Sequence, residues 1–138
     1  MASIREEILI EVQADEVWAA VRDIGEVHRR LAPDAVTDVR LDGDARIVTF
    51  SNGMVVRELI VDIGDDAQRF AYAAVGGRVR HHNATMQVFD EGGRRSRLVW
   101  ITDLLPNELA GSIGILVEQL GDVIKNTLEG NASSGQTG

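Results

Sequence analysis

Residues 105–130 constrain the fold more than any other stretch, because they carry one wide apolar stripe at helical spacing. At about 100° per residue, Leu109, Ile113, Leu116, Val117, Leu120, Val123, Ile124 and Leu128 fall on one arc. Glu108, Ser112, Glu118, Gln119, Asp122, Asn126 and Glu129 fall opposite, and Ile115 alone lies on the wrong side. A helix of this length is held by burial of its apolar face more than by propensity, so something large must cover it. Asn107 suits the N-cap, Glu108 the first turn, and Gly130 the left-handed position beyond the C-terminus. Gly111, Gly114 and Gly121 each cost about 1 kcal/mol of helix propensity relative to Ala. Gly114 and Gly121 border the apolar arc, where a missing side chain lets another backbone or a bound molecule come close.

The cover is a β-sheet. Residues 4–12 alternate in their second half, with Ile8, Ile10 and Val12 on one side, and read as a strand. Asp15-Glu16 open a helical pattern that buries Val17, Trp18 and Val21; residues 23–31 continue it with Ile24, Val27 and Leu31, bent at Gly25 and stopped by Pro33-Asp34. Six β-rich segments follow, at 36–41, 45–51, 55–63, 69–75, 82–90 and 97–104. Asp42-Gly43-Asp44, Asn52-Gly53, Gly64-Asp65-Asp66, Gly76-Gly77 and Glu91-Gly92-Gly93 separate them, and Asn-Gly and Asp-Gly between such runs are hairpin signals. The expected fold class is α+β: about seven antiparallel strands curved around a long C-terminal helix, with two short helices between strands one and two. The expected organisation is a single domain over 1–130 and a disordered tail over 131–138, where Ala132 is the only apolar residue.

At 138 residues the chain fits one domain able to bury roughly two-thirds of its unfolded surface. A net charge of −8, with basic residues scattered apart from Arg94, Arg95 and Arg97, argues against a nucleic-acid partner. The absence of cysteine removes disulfides, thiolate metal sites and a thiol nucleophile together. No apolar run approaches the about 20 residues of a membrane span, and the first residues lack a signal-peptide pattern, so a cytoplasmic location is the expectation. Phosphate-binding loops, dinucleotide fingerprints and Ser-x-x-Lys or Gly-x-Ser-x-Gly nucleophiles do not occur; no cofactor and no metal are expected.

Several short motifs occur in a specific order: Val17-Trp18, Arg22-Asp23-Ile24-Gly25, Val55-Val56-Arg57-Glu58, Phe70-Ala71-Tyr72, Leu98-Val99-Trp100 leading to Leu105-Pro106, and the terminal helix. In that order, over residues 3–129, the chain resembles the START-like helix-grip superfamily, SRPBCC, and in particular its polyketide cyclase/dehydrase branch. The resemblance implies a sheet gripping the last helix around a cavity for a lipid-, polyketide- or hormone-like molecule. His28 and Arg29 stand where many relatives carry an aromatic residue.

Glu58 alternates with Val56 and Ile60, so an inward face points its carboxylate into the cavity, where burial raises a carboxyl pKa and suits it to acid/base work. The competing reading is a salt bridge with Arg46 or Arg57, with Val55, Leu59 and Val61 as the inner set. His81 and His82 point to opposite faces and cannot readily share a metal; His82 is a candidate titrating group at the pocket, or a loop histidine at the sheet's mouth. The resemblance turns Asn83 and Thr85 toward a ligand, whereas alternation alone makes Asn83, Thr85 and Gln87 a solvated stripe. In the last strand either Leu98, Trp100, Thr102 and Leu104 or Val99, Ile101 and Asp103 line the pocket, and Asp103 inward would give Glu58 a second carboxylate. Tyr72 faces inward on either the core or the ligand reading, alongside Ala74.

The expected ligand-binding set is thus Val56, Glu58, Ile60, Tyr72, Ala74, Asn83, Thr85, Trp100, Ile113, Leu116, Val117 and Leu120, with Glu58, Asp103 and His82 as catalytic candidates. The leading expectation is binding of a small, mostly apolar molecule. A cofactor-independent cyclase or dehydratase is the first alternative. A non-catalytic interaction module with a vestigial pocket is the second, homodimeric through a strand edge or through the helices carrying His28.

Overall fold

The computed structural model describes residues 2–137, with side chains as far as Ala132. Seven strands, β1 (Ala2–Ile10), β2 (Val36–Asp42), β3 (Ala45–Phe50), β4 (Val55–Gly64), β5 (Arg69–Val75), β6 (His81–Asp90) and β7 (Ser96–Leu105), form one antiparallel sheet. Its order is β1-β7-β6-β5-β4-β3-β2. The last six strands are a meander of hairpins, and β1 completes the sheet beside β7, so β1 and β2 are the two edges. Between them the chain passes through α1 (Ala14–Arg22) and a π-helical turn, Val27–Leu31, that Ala32 N–H closes on the Val27 carbonyl at 2.8 Å. A 3-10 turn, Asn107–Leu109, leads into α2 (Ala110–Thr137). This is the α+β helix-grip architecture that the residue pattern implied.

The hairpins form where glycine permits them: Gly43, between β2 and β3, has φ of 61°. A bulge in β4 does less obvious work. Ile60 pairs with Tyr72 but Asp62 pairs with Ala71, so Val61 is the extra residue and stands 63% exposed. Val56, Glu58 and Ile60 face inward before it and Ile63, opposite Phe70, faces inward after it, which keeps an apolar contact on the core side where strict alternation would have turned it out.

α2 lies along β1, where the stripe read from the sequence meets the sheet. A Cβ on Gly121 would stand 3.0 Å from Ile8 Cδ1 and 3.6 Å from Glu6 Cγ, so the glycine permits the close approach. Lys125 Nζ donates to the Leu9 carbonyl at 2.7 Å, and Glu129 accepts from the Glu11 N–H at 2.9 Å. Val117, Ile124 and Leu128 are buried, while Ile115 is 59% exposed. At the far end α1 is tied to the β4–β5 turn, with Trp18 Nε1 and Arg22 Nε both donating to Asp65 Oδ1, at 2.9 and 2.7 Å.

Both helix ends differ from expectation. Pro106, extended at φ −78° and ψ 157°, precedes the 3-10 turn, and Asn107 is its first residue rather than a side-chain cap. Gly130 is not left-handed: it sits inside α2, and Asn131 and Ala132, expected in a disordered tail, continue the helix. Ala132 packs against the core, which gives the extra turn a reason to form. The side chains of residues 133–138 lie outside the described residues.

Nothing stands within 4 Å of a Cβ added at Gly130. Gly130→Ala is therefore expected to stabilise the protein by up to about 1 kcal/mol in urea denaturation. A left-handed residue at this position would give the opposite sign.

Candidate functional site

The sheet and α2 do not meet evenly. At the α1 end the inward side chains are sealed, as at Ile10, Phe70 and Leu98. At the other end Phe50, Val56, Ala74 and His82, also inward, are only half-buried, so the concave face opens toward the turns at 51–54 and 76–80. Between the ends lies a cavity of about 50 Å³. Its apolar wall comes from α1 (Val21), the π-helical turn (Val27, Leu31), the sheet (Val36, Val48, Phe50, Phe70, Met86) and α2 (Leu120, Ile124), and its polar groups from Arg46, Glu58, Tyr72 and Trp100.

Arg46 and Glu58 are direct cross-strand partners on β3 and β4. Arg46 Nε donates to Glu58 Oε1 at 2.8 Å, with the side chains 7% and 11% exposed. Arg46 Nη1 donates to the Ile24 carbonyl at 3.2 Å, and the guanidinium lies 5.1 Å above the Phe70 ring and 5.4 Å above that of Tyr72. A charge this deep is tolerable only because it is paired, hydrogen-bonded and set against aromatic faces. Trp100 Nε1 donates to the Tyr72 hydroxyl at 3.1 Å. Burial, and after it the Glu58 charge, push the Tyr72 pKa far above the ordinary phenol range, so the ring stays neutral.

His82 stands at the mouth. The β5–β6 ladder runs only to Tyr72 opposite Ala84, and two residues beyond it the Ala74 N–H donates to His82 Nδ1 at 3.0 Å. The imidazole thus replaces a missing strand acceptor, and accepting at Nδ1 leaves its proton on Nε2. Burial lowers its pKa, against an opposing contribution from Glu58. Its ring centroid is 6.0 Å from that of Tyr72.

Of the residues expected at a ligand, Glu58, Tyr72, Trp100 and Leu120 stand on the cavity wall. Glu58 lines the cavity and is also ion-paired with Arg46, whereas Val55 and Val61 of the alternative inner set are exposed. Val56, Ile60 and Ala74 share the inner face but lie outside the cavity, as do Ile113, Leu116 and Val117, which sit nearer the start of α2. Asn83 and Thr85 are a correction. Ala84, Met86 and Val88 are the buried set of β6, so alternation turns Asn83 and Thr85 outward. There Asn83 Nδ2 donates to Asp103 Oδ2 at 3.2 Å, and Asn83 Oδ1 lies 2.6 Å from His81 Nε2. Asp103 is a second correction: Leu98, Trp100, Thr102 and Leu104 are buried inward, so Asp103 faces the opposite side from Glu58 and the two form no carboxylate pair.

The residue that sequence reasoning missed as part of the site is Arg46, considered only as one of two salt-bridge partners for Glu58. Its signal was present: Arg46 alternates with Val48 and Phe50 and so belongs to the inward set of β3. Among the described residues no three His, Asp or Glu side chains gather as a metal site, and no helix is long and apolar enough to cross a membrane.

A family model described as polyketide cyclase/dehydrase and lipid transport matches residues 1–133. The chain belongs to that family. Solved structures of this fold include the Bacillus cereus protein XoxI, with a TM-score of 0.81, 18% identity and 95% of each chain covered. The di-domain ARO/CYC protein BexL of the BE-7585A biosynthetic pathway gives a TM-score of 0.81 at 13% identity, covering 94% of this chain and 47% of BexL. Norcoclaurine synthase of Thalictrum flavum, solved as a point mutant with a transition-state analogue, gives 0.69 at 19% identity, covering 94% and 96% of the two chains. No curated protein matches the sequence significantly.

The ion pair and the histidine each carry a test. Arg46→Met leaves Glu58 buried without its counter-charge and is expected to cost about 3–5 kcal/mol, whereas the double variant Arg46→Met/Glu58→Leu should lose much less; denaturation of both, with Glu58→Leu completing the cycle, reads the difference. For His82 the folded pKa is depressed, so on acidification the unfolded chain takes up a proton that the fold resists. Stability should be full above the ordinary imidazole pKa near 6.5 and fall as pH drops from there toward the folded value. His82→Asn retains an acceptor for Ala74 without titrating, and urea midpoints at about pH 7.5 and 5.5 should show a smaller acid loss in that variant than in the parent.

Proposed function

We propose that this protein binds one small, mostly apolar molecule between the sheet and α2, with the molecule's polar group turned to the Arg46–Glu58 pair. The observation that carries the reading is that pair itself, a desolvated guanidinium and carboxylate in an otherwise apolar wall. Such a wall with a few placed polar groups is how small-molecule sites fix orientation. The family's description, which includes lipid transport, points the same way.

The cavity of about 50 Å³ holds a few waters and no more. Sites for drug-sized ligands run to roughly 300–1,000 Å³, so binding requires Leu31, Met86 and Leu120 to move apart, and the intrinsic affinity is reduced by the fraction of molecules that are open.

A cofactor-independent enzyme is the second reading, favoured by neutral His82 at the mouth beside Tyr72 and by the structural likeness to the ARO/CYC protein BexL and to norcoclaurine synthase. Its proton-transfer groups would be His82, Tyr72 and Glu58, since Asp103 faces away.

The experiment is a titration with N-phenyl-1-naphthylamine, a neutral apolar fluorophore. Saturable 1:1 enhancement is expected, and Leu120→Trp, which fills the cavity from α2, should abolish it while leaving the circular dichroism unchanged. Absence of saturable binding to the parent protein would overturn the reading in favour of a closed, vestigial pocket.

A further inference from the structure

The two sheet edges use their charges differently. Along the outer face of β1 the charges are satisfied within the chain: Arg5 with Glu7 at 3.4 Å, Glu7 with Arg97 at 2.6 Å, and, just past the strand, Glu11 with Arg95 at 3.0 Å, while Glu6, on the face toward α2, has no salt bridge among the described residues. α2 also bonds that strand's backbone through Lys125 at Leu9. Along β2, Asp42 is held by Arg57 at 2.8 Å and feels the charge of Arg40 through space, but Asp38 and Arg40, both exposed on the outer face, have no salt bridge or hydrogen bond of their side chains among the described residues. Leu41, although on the inner face opposite Arg46, is 57% exposed.

Asp38-Val39-Arg40 is its own complement in antiparallel register. If a second copy is laid against this edge with the two-fold axis through Val39, Asp38 of each copy stands opposite Arg40 of the other and the two valines face each other. Directly opposed residues on an antiparallel pair share a face with their Cβ atoms about 5 Å apart, within ion-pair reach. The same pairing satisfies the unpaired backbone groups of an edge strand and brings each exposed Leu41 over the neighbouring edge. We infer that β2 pairs with β2 of a second copy, antiparallel and centred on Val39, closed by two Asp38–Arg40 ion pairs. The bulge between Val36 and Asp38 ends the regular ladder, so the paired stretch is short and the dimer weak and concentration-dependent. This surface is separate from the cavity, and its test does not depend on ligand binding.

Sedimentation velocity of the full chain from micromolar to near-millimolar concentration should show a sedimentation coefficient that rises with concentration. Arg40→Asp sets Asp38 against a second carboxylate and should weaken association by at least about tenfold. Asp38→Arg/Arg40→Asp restores both pairs with reversed polarity and should recover the parent's association. A parent protein that stays monomeric throughout, a dimer indifferent to Arg40→Asp, or a double variant that fails to recover while its circular dichroism matches the parent's would each overturn the inference.

Discussion

α2 can lie along β1 as closely as it does because Gly121 has no side chain. An added Cβ would stand only 3.0 Å from Ile8 Cδ1, so even alanine requires Ile8 to give by a few tenths of an ångström, and a bulkier residue would displace it or lift the helix. The contact is reinforced farther along by Lys125 on the Leu9 carbonyl and Glu129 on the Glu11 N–H. Among the strands, α2 packs chiefly on β1, and the cavity lies between Leu120 and Ile124 of the helix and the inner face of the sheet from β2 to β7. A position costly for helix propensity is thus the one that sets where the helix rests.

That placement explains why a charge pair can exist inside the molecule. Arg46 and Glu58 lie on the side of the sheet away from β1, where α2 does not press on the strands, and Phe70 and Tyr72 supply the faces beneath the guanidinium. Replacement of such a pair by apolar residues is commonly neutral or stabilising in proteins, so packing alone does not account for it. The cavity is net neutral as built: a ligand's hydroxyl or carbonyl can find an acceptor or donor there, whereas an anion would have to compete with Glu58 for Arg46.

The α2 stripe and the hairpin separators are local signals, and for that reason they gave the element order correctly; the helix-grip architecture came with the family resemblance that the motif order carries. Orientation was harder. On β6, alternation alone made Asn83 and Thr85 a solvated stripe, and the resemblance pulled them inward; the buried set of Ala84, Met86 and Val88 shows that alternation was the sounder guide. The bulge at Val61 could not be seen, because both faces of β4 are apolar in sequence and only pairing with β5 distinguishes them. Alternation with Val48 and Phe50 already put Arg46 on the inner face, but what makes its burial tolerable, Glu58 across the strand and the Phe70 and Tyr72 rings beside it, is not a local property. Gly130 misled for a related reason: the helix continues past it because Ala132 finds the core.

The π-helical turn is where the cavity has room to change. Its i→i+5 bonding is uncommon and marks strained or functional segments, and Val27 and Leu31 from it form part of the wall. His28, in the same turn, keeps a buried Nδ1 with no partner among the described residues, a loss of order 1–3 kcal/mol that a well-settled turn would have avoided. Arg46 reaches this region through its bond to the Ile24 carbonyl. That bond uses one of the two N–H groups on Nη1, so the guanidinium ties the segment before the turn to the cavity wall and still has donors to spare. On the proposed reading, the interior of about 50 Å³ would widen at the turn sooner than across β3–β7, each of which is held by a ladder on both sides.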